Sequence, residues 1–154
     1  MSSQRALSLI FLLAIATAGY AQIAKPAFTD DDLKKYAITM DSIKDMQESL
    51  NATIATMVQK NTVMPVTRYN ELFKIITDST KLVAAGAKQE EVNFVKEVAK
   101  KRADESAKIT ATFQSMAKEY VGLKAFNAIK KSLATDTAVK EKYDAFTKEL
   151  DAKS

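Results

Sequence analysis

The 154-residue chain contains no histidine, no cysteine and no tryptophan. Without histidine or cysteine, the usual nucleophile–base pairs and the common metal-binding clusters cannot be built. Disulfides are excluded as well, so the stability of the fold must come from packing. These absences predict a protein that is not an enzyme and carries no cofactor or metal. Chemistry that uses Asp, Glu, Lys or Tyr alone stays open.

Glycine and proline are also scarce, with three and two residues. Gly19 and Pro26 lie near the N-terminus, which leaves Pro65, Gly86 and Gly122 as the strong breaks in the rest of the chain. Long uninterrupted helices are therefore expected. Strands are not expected, because no stretch alternates polar and apolar residues with a period of two.

The first 21 residues have the pattern of a cleavable export signal. Arg5 supplies a positive charge, an apolar stretch follows over 7–18, and Gly19-Tyr20-Ala21 forms a cleavage site before Gln22. A membrane anchor needs roughly 20 apolar residues, and this stretch is shorter. We expect cleavage after residue 21, and Ala16-Thr17-Ala18 is a second possible site. A short tail over 22–28 should follow, in a mature protein that is in the periplasm or secreted and has no transmembrane anchor.

The charges give little sign of a polyanionic partner. The net charge is +4, and basic and acidic residues are interspersed. A surplus this small favours solubility more than binding. Nucleic acid is therefore not an expected partner.

The mature chain is predicted to begin with a long helix. Thr29 is a candidate N-cap with Asp32 three residues later, and the acidic run from Asp30 suits the positive end of the helix dipole. Spacings of three and four then form a coiled-coil-like seam of Leu33, Tyr36, Met40, Ile43, Gln47, Leu50, Ile54 and Met57. This helix should reach about Asn61.

Three further amphipathic segments complete the prediction. A shorter helix should start with Thr67 as its N-cap, and Gly86 suits the C-terminal end of that region. A second long helix should span 89–121 and end at Gly122, with a seam of Val92, Val95, Ala99, Arg102, Ser106, Ile109, Phe113, Met116 and Tyr120. A final helix should follow from Asp136.

The resulting fold class is all-α, an antiparallel helical bundle of two long and two shorter helices in one domain over 29–152. An internal duplication, with repeats 29–86 and 87–152, is suggested by the similar segments that follow each break. Tyr69-Asn70 corresponds to Phe126-Asn127, and Thr77-Asp78 corresponds to Thr135-Asp136. The aromatic residues are expected in the core, each Asn is expected to support the preceding loop, and each Asp is expected to cap a helix or to lie within one.

Arg102 is the anomaly on an otherwise apolar seam. If the bundle ran up-down-up-down, the two long helices would lie parallel, and Gln47, Arg102 and Ser106 would form a polar layer near the middle. The Arg102 head would then reach solvent or a carboxylate such as Glu48 or Glu105. The alternative is that Arg102, Gln47 and Ser106 bind an anionic ligand or a carboxylate of a partner.

Three stretches carry a resemblance to a known family: FTDDDLKKYAITMDSI at the start of the mature chain, then RYNELFKIITD, and later EYVGLKAFNAIKKSLATD. They resemble the secreted bacterial domain-of-unknown-function family 4168, and the export signal is similar to those of Bacteroidetes-type bacteria. The chain departs from the family pattern by carrying a second YN…TD segment at 69–78. The resemblance implies structural roles, and no catalytic site, for Phe28, Asp30, Tyr36, Tyr69, Asn70, Asp78, Gly122, Phe126, Asn127 and Asp136.

Two functions are compatible with the residues. The first is a non-enzymatic helical envelope protein that acts as an interaction or stress-related module with an unknown envelope partner. The alternative is a binding module or holdase for amphiphiles or unfolded chains, using a methionine- and aromatic-rich helical groove. In either case the protein is expected to be a monomer or a weak homo-oligomer.

Overall fold

The computed structural model describes residues 27–152, and this part of the chain folds into helices with no strand. The all-α prediction is confirmed. The elements are α1 (Asp30–Lys60), α2 (Val66–Ile75), α3 (Ser79–Ala84), α4 (Gln89–Ser115), a π-helical segment (Met116–Gly122), α5 (Leu123–Thr135) and α6 (Thr137–Asp151). The predicted signal and most of the tail after it lie outside the described residues.

Helix α1 begins at the predicted cap. Thr29 Oγ1 accepts a hydrogen bond from the Asp32 N–H at 3.1 Å, and Asp32 Oδ2 accepts one from the Thr29 N–H at 2.8 Å. This reciprocal pair satisfies two backbone donors that a helix start leaves free. The Thr29 N–H and hydroxyl also hold the pKa of the Asp32 carboxyl below its usual value.

The start of α2 differs from the prediction. Helix α1 ends at Lys60, and α2 begins at Val66 with Pro65, not Thr67, as its N-cap. Proline fixes the φ angle and lacks an N–H, so Pro65 already holds the extended backbone that precedes a helix. The helix therefore starts before the Thr67 hydroxyl could cap it.

Both Thr-Asp pairs end one helix and start another. The Asp78 side chain accepts from the Lys81 N–H at 3.0 Å at the start of α3. The Asp136 side chain accepts from the Ala138 and Val139 N–H groups at 2.9 and 3.2 Å at the start of α6. The capping interpretation holds at both positions, and each pair breaks its helix.

Two separate apolar clusters join α1 to α4. The first contains Ile54, Val58, Met64, Tyr69, Leu72, Val95 and Val98, with α2 and α3 packed on it. The second contains Leu33, Tyr36, Ala117, Val121, Phe126 and Ile129, with α5 and α6 packed on it. The end of α1 thus meets the start of α4, and the start of α1 meets the segment that follows α4.

The two long helices are therefore antiparallel, so the up-down-up-down order, in which they would lie parallel, is not the one that this chain adopts. Helix α1 is about 45 Å long, whereas α2 and α3 are about 15 and 9 Å. The two short helices cannot carry the chain back to the start of α1, so α4 returns along it. The short helices consequently cover the ends of the α1–α4 pair.

The π-helical segment changes which residues face the core. Ala117 and Val121 are buried, while Tyr120 is 42% exposed. The predicted seam was wrong at Tyr120, because a π-helical turn takes in an extra residue and rotates the following side chains. Gly122 ends the segment as expected, with φ +87°.

The two segments proposed as repeats occupy similar environments. Tyr69 and Phe126 are both buried, and Leu72 and Ile129 are both fully buried. Asn70 and Asn127 are both exposed. Neither Asn side chain makes a hydrogen bond within residues 27–152, so neither supports its preceding loop in that range. The duplication itself stays a prediction.

Candidate functional site

The middle of the α1–α4 pair is open to solvent. Gln47, Glu48 and Ser49 on α1 are exposed, and so are Arg102 and Ser106 on α4. The helices that cover the ends contribute to one apolar cluster or the other. The central stretch is consequently a two-helix section with a groove on each side.

The first groove, called here the Lys101 groove, has a volume of about 460 Å³. It is lined by Asp45, Met46, Ser49, Leu50, Thr53, Lys101, Glu105 and Ile109. Lys101 and Glu105 of this lining are paired, since Glu105 lies 3.1 Å from Lys101 Nζ and 2.9 Å from Lys108 Nζ, whereas Asp45 makes no ion pair within residues 27–152. These two lysines hold the pKa of Glu105 below its usual value.

The second groove, called here the Arg102 groove, has a volume of about 300 Å³. It is lined by Gln47, Leu50, Asn51, Arg102, Ser106, Ile109 and Thr110. Leu50 and Ile109 line both grooves, so the grooves are opposite sides of one helix–helix contact. The predicted trio of Gln47, Arg102 and Ser106 therefore comes together, although on an open surface and not in an internal polar layer.

Arg102 differs from Arg68, the other arginine between residues 27 and 152. Arg68 lies within 3.5 Å of Glu91 and Glu71 and donates to the Ala85 carbonyl at 2.9 Å. Arg102 makes no ion pair within 4 Å in the described part of the chain, and its groove has no carboxylate in the lining. The exposure of Arg102 agrees with the expectation that its head reaches solvent. Glu105, a carboxylate that was expected as a possible partner of Arg102, is paired with lysines instead.

A third groove continues from the second. It has a volume of about 260 Å³ and is lined by Asn51, Ile54, Ala55, Val58, Gln59, Val66, Tyr69, Asn70 and Arg102. Asn51 and Arg102 line both grooves. The Arg102 groove and this third groove therefore form one continuous surface, called here the trough. Burial raises the pKa of the Tyr69 hydroxyl, and the nearby Arg102 charge opposes that rise.

The residues of the family resemblance have structural positions. Tyr36 contacts Phe126 with ring centroids 4.8 Å apart, and Phe28 packs on the same cluster. Asp30 accepts from Lys142 Nζ at 2.8 Å, which ties the start of α1 to α6. Asp78 and Asp136 cap helices in opposite halves of the fold, so they do not converge as a carboxylate pair.

The buried Glu91 was not identified from the sequence. It is 8% exposed and accepts from the Lys88 N–H at 2.8 Å in addition to its contact with Arg68. Its place in the first turn of α4 indicates a helix-start interaction, but the sequence does not show that α2 brings Arg68 to it.

Residues 27–152 contain neither a metal-binding cluster nor a membrane-spanning helix. No group of three or more His, Cys, Asp or Glu side chains in this range is arranged to hold a metal ion. Across the same residues, no helix combines the length and apolarity needed to cross a bilayer.

Comparisons with known proteins give no relative from which a site could be transferred. No protein-family model, no curated protein and no solved structure matches the chain.

Proposed function

We propose that this is an exported, non-enzymatic interaction module that acts in the periplasm or outside the cell and holds its partner along the exposed middle of α1 and α4. The observation that supports this function is the separation of the two apolar clusters. Because packing at both ends keeps the long helices together, the middle can stay open to a partner. The envelope partner is not identified by the residues, and a stress-related role is one use of such a module.

Membership of the domain-of-unknown-function family 4168 belongs to the same proposal. Its support is the structural use of the resembling residues. Thr29 caps α1, Tyr36 and Phe126 pack together, and Asp136 caps α6. These residues cap helices or pack in the core. Such structural roles agree with a resemblance that implies no catalytic site.

A holdase for amphiphiles or unfolded chains is the second candidate. Exposed apolar side chains favour it, including Phe73 at 39% and Leu123 at 54% exposure. The trough and the Lys101 groove give it less support, because their linings contain Met46 as the methionine and Tyr69 as the aromatic residue. Met40 and Met57 instead pack against the end clusters.

The absence of cysteine from the chain allows a site-specific test of the interaction module. Ser49→Cys and Ser106→Cys place a thiol in the Lys101 and Arg102 grooves, and Glu141→Cys on the exposed part of α6 is the matched control. Each variant, labelled with a thiol-reactive photocrosslinker, is irradiated in the envelope extract of the producing cells.

A discrete adduct from a groove position and none from the control is the expected result. Equal adducts from all three positions, or none from any, would contradict the proposal. A broad smear of adducts, together with protection of a heat-unfolded test enzyme from aggregation, would instead favour the holdase.

A further inference from the structure

We propose that the trough around Arg102 binds an extended acidic segment of a partner protein, with one carboxylate placed against the Arg102 guanidinium. This inference rests on the proposed function, since it names the partner chemistry of the same exposed section. It is carried by three observations about the trough: its charge, its hydrogen-bonding groups and its length.

The trough lining contains one charged side chain, the Arg102 guanidinium, which has no counter-ion among the described residues. The lysines that precede Arg102 are already paired, with Lys100 2.6 Å from Asp104 and Lys101 3.1 Å from Glu105. A guanidinium presents paired N–H groups that match the two oxygens of a carboxylate. A single such group suits one carboxylate, whereas a polyanion or an anionic membrane surface would require a row of cations.

The polar groups beside Arg102 suit a peptide backbone. The side-chain amides of Gln47, Asn51 and Asn70 make no hydrogen bond within residues 27–152. Each amide offers both a donor and an acceptor, which is the combination that a backbone N–H and C=O require. Leu50 and Ile109, which line the same groove as Gln47 and Asn51, provide an apolar surface for one face of an extended chain.

The length of the trough fits a short segment. Its α1 side runs from Gln47 to Gln59, which corresponds to about 18 Å of helix. An extended chain rises about 3.3 Å per residue, so five or six residues would fill it. The Lys101 groove on the opposite side lacks this chemistry, because its lysine is already paired with Glu105 and Asp45 adds a negative charge to the lining.

The test measures binding of fluorescent nonapeptide pools to protein purified after export of the full chain. One pool has Glu at its centre and uncharged residues elsewhere, and a second pool has the isosteric Gln. Wild-type protein should bind the Glu pool about tenfold more tightly than the Gln pool, the effect of one charge-assisted contact. Arg102→Met should abolish this preference, and Arg102→Lys should retain part of it.

Lys101→Met is the matched control, because it removes the same charge from the adjacent position but from the other groove. It should leave the preference for Glu intact. An equal loss in both variants would show unspecific attraction and would overturn the proposal. An unchanged preference in Arg102→Met would overturn it too, as would binding to phosphatidylglycerol vesicles or to a sulfated polysaccharide in place of the Glu pool.

Two further outcomes separate this inference from the proposed function. If neither pool binds while Ser106→Cys still gives its discrete adduct, the interaction module stands and the acidic segment is wrong. If wild-type protein sediments as a dimer and Arg102→Met as a monomer, the occupant is a second copy of this chain, which also overturns the acidic-segment proposal.

Discussion

Arg68 on α2 reaches Glu91 in the first turn of α4, with Nε 3.4 Å from Oε1. The second oxygen of Glu91 accepts from the Lys88 N–H at 2.8 Å, and Arg68 Nη2 donates to the Ala85 carbonyl at 2.9 Å. This carboxylate therefore holds α2, the loop after α3 and the start of α4 together. Glu91 is thus a buried charged residue at the same end of the molecule as the first apolar cluster.

Replacing Glu91 by Gln should lower the free energy of unfolding by about 1–2 kcal/mol at neutral pH, because hydrogen bonds to a charged group are weakened. The Lys88 N–H, with Arg68 adding to it, holds the pKa of Glu91 below its ordinary value of 4.5. The contribution is thus complete above the pKa of the unfolded chain and is lost as the pH falls through the lower pKa of the folded state. Between about pH 5 and pH 3, wild-type protein should lose more stability than Glu91→Gln. Urea unfolding at several pH values measures this, with Glu90→Gln as the exposed control. If this account is wrong, the free energy of unfolding will fall with pH at the same slope in wild-type protein and in Glu91→Gln.

The two apolar clusters should contribute independently to stability. Ile54→Val in the first cluster and Ile129→Val in the second remove the same methyl group from sites that are 3% and 0% exposed. Each should cost about 1 kcal/mol. The double variant should show the sum, because the sites share no neighbours. Val83→Ala, at a site that is 80% exposed, should have little effect. Strong non-additivity in denaturant unfolding would argue against two separate clusters.

Gly122→Ala should destabilise the protein through the backbone alone. A Cβ atom at this position would meet nothing within 4 Å, but the φ angle is +87°. Holding an alanine there should cost about 1–3 kcal/mol. Gly86→Ala should cost less, because its φ of +61° lies closer to the left-handed helical region that other residues adopt. Thermal unfolding of both variants tests the order, and an unchanged melting temperature for Gly122→Ala would refute the strain argument.

Arg102→Met should leave the fold intact. The Arg102 side chain is exposed and has no carboxylate partner within residues 27–152. Its replacement should therefore change the free energy of unfolding by no more than about 0.5 kcal/mol. Arg68→Met, which removes the contacts to Glu91, should be clearly less stable. A sharp fall in melting temperature for Arg102→Met would show that this arginine has a structural role.

We expect the chain to be exported and the mature protein to begin at Gln22, with Gly19 as the second possible start. The small residues of Gly19-Tyr20-Ala21 follow an apolar stretch of signal length, so a signal peptidase should cleave after Ala21. N-terminal sequencing of protein recovered from the envelope or the medium measures this directly. An intact Met1 on membrane-bound material would contradict it.

Local signals in the sequence were sufficient for the helices and several of their ends. The Thr29 cap, the start of a helix at Asp136 and the stop at Gly122 depend on the residue and its immediate neighbours, so they could be predicted. The break at Asp78 stayed open, because a Thr-Asp pair can also lie within a helix. The direction of α4 relative to α1 could not, because a seam of apolar residues packs in either direction. The direction is given by the packing of Ile54, near the end of α1, with Val95, near the start of α4.

The candidate site was predicted in part. Gln47, Arg102 and Ser106 were placed at one level on the condition that the long helices lie parallel. All three line the same groove of the antiparallel pair, because each lies near the middle of its helix. Their exposure could not be predicted, since it depends on how far the short helices extend over α1 and α4. Tyr120 was wrongly placed on the buried seam for a different reason. The local residue pattern does not indicate a π-helical turn.

The division of the core into two clusters makes the span between them a spacer of adjustable length. In this section α1 and α4 contact each other without a third helix, so the distance between the covered ends depends only on helical rise. Seven residues added at matched positions in both helices would lengthen the molecule by about 10 Å and keep the same faces in contact. Such an insertion would lengthen the surface of the proposed interaction module, while the packing at either end stays the same.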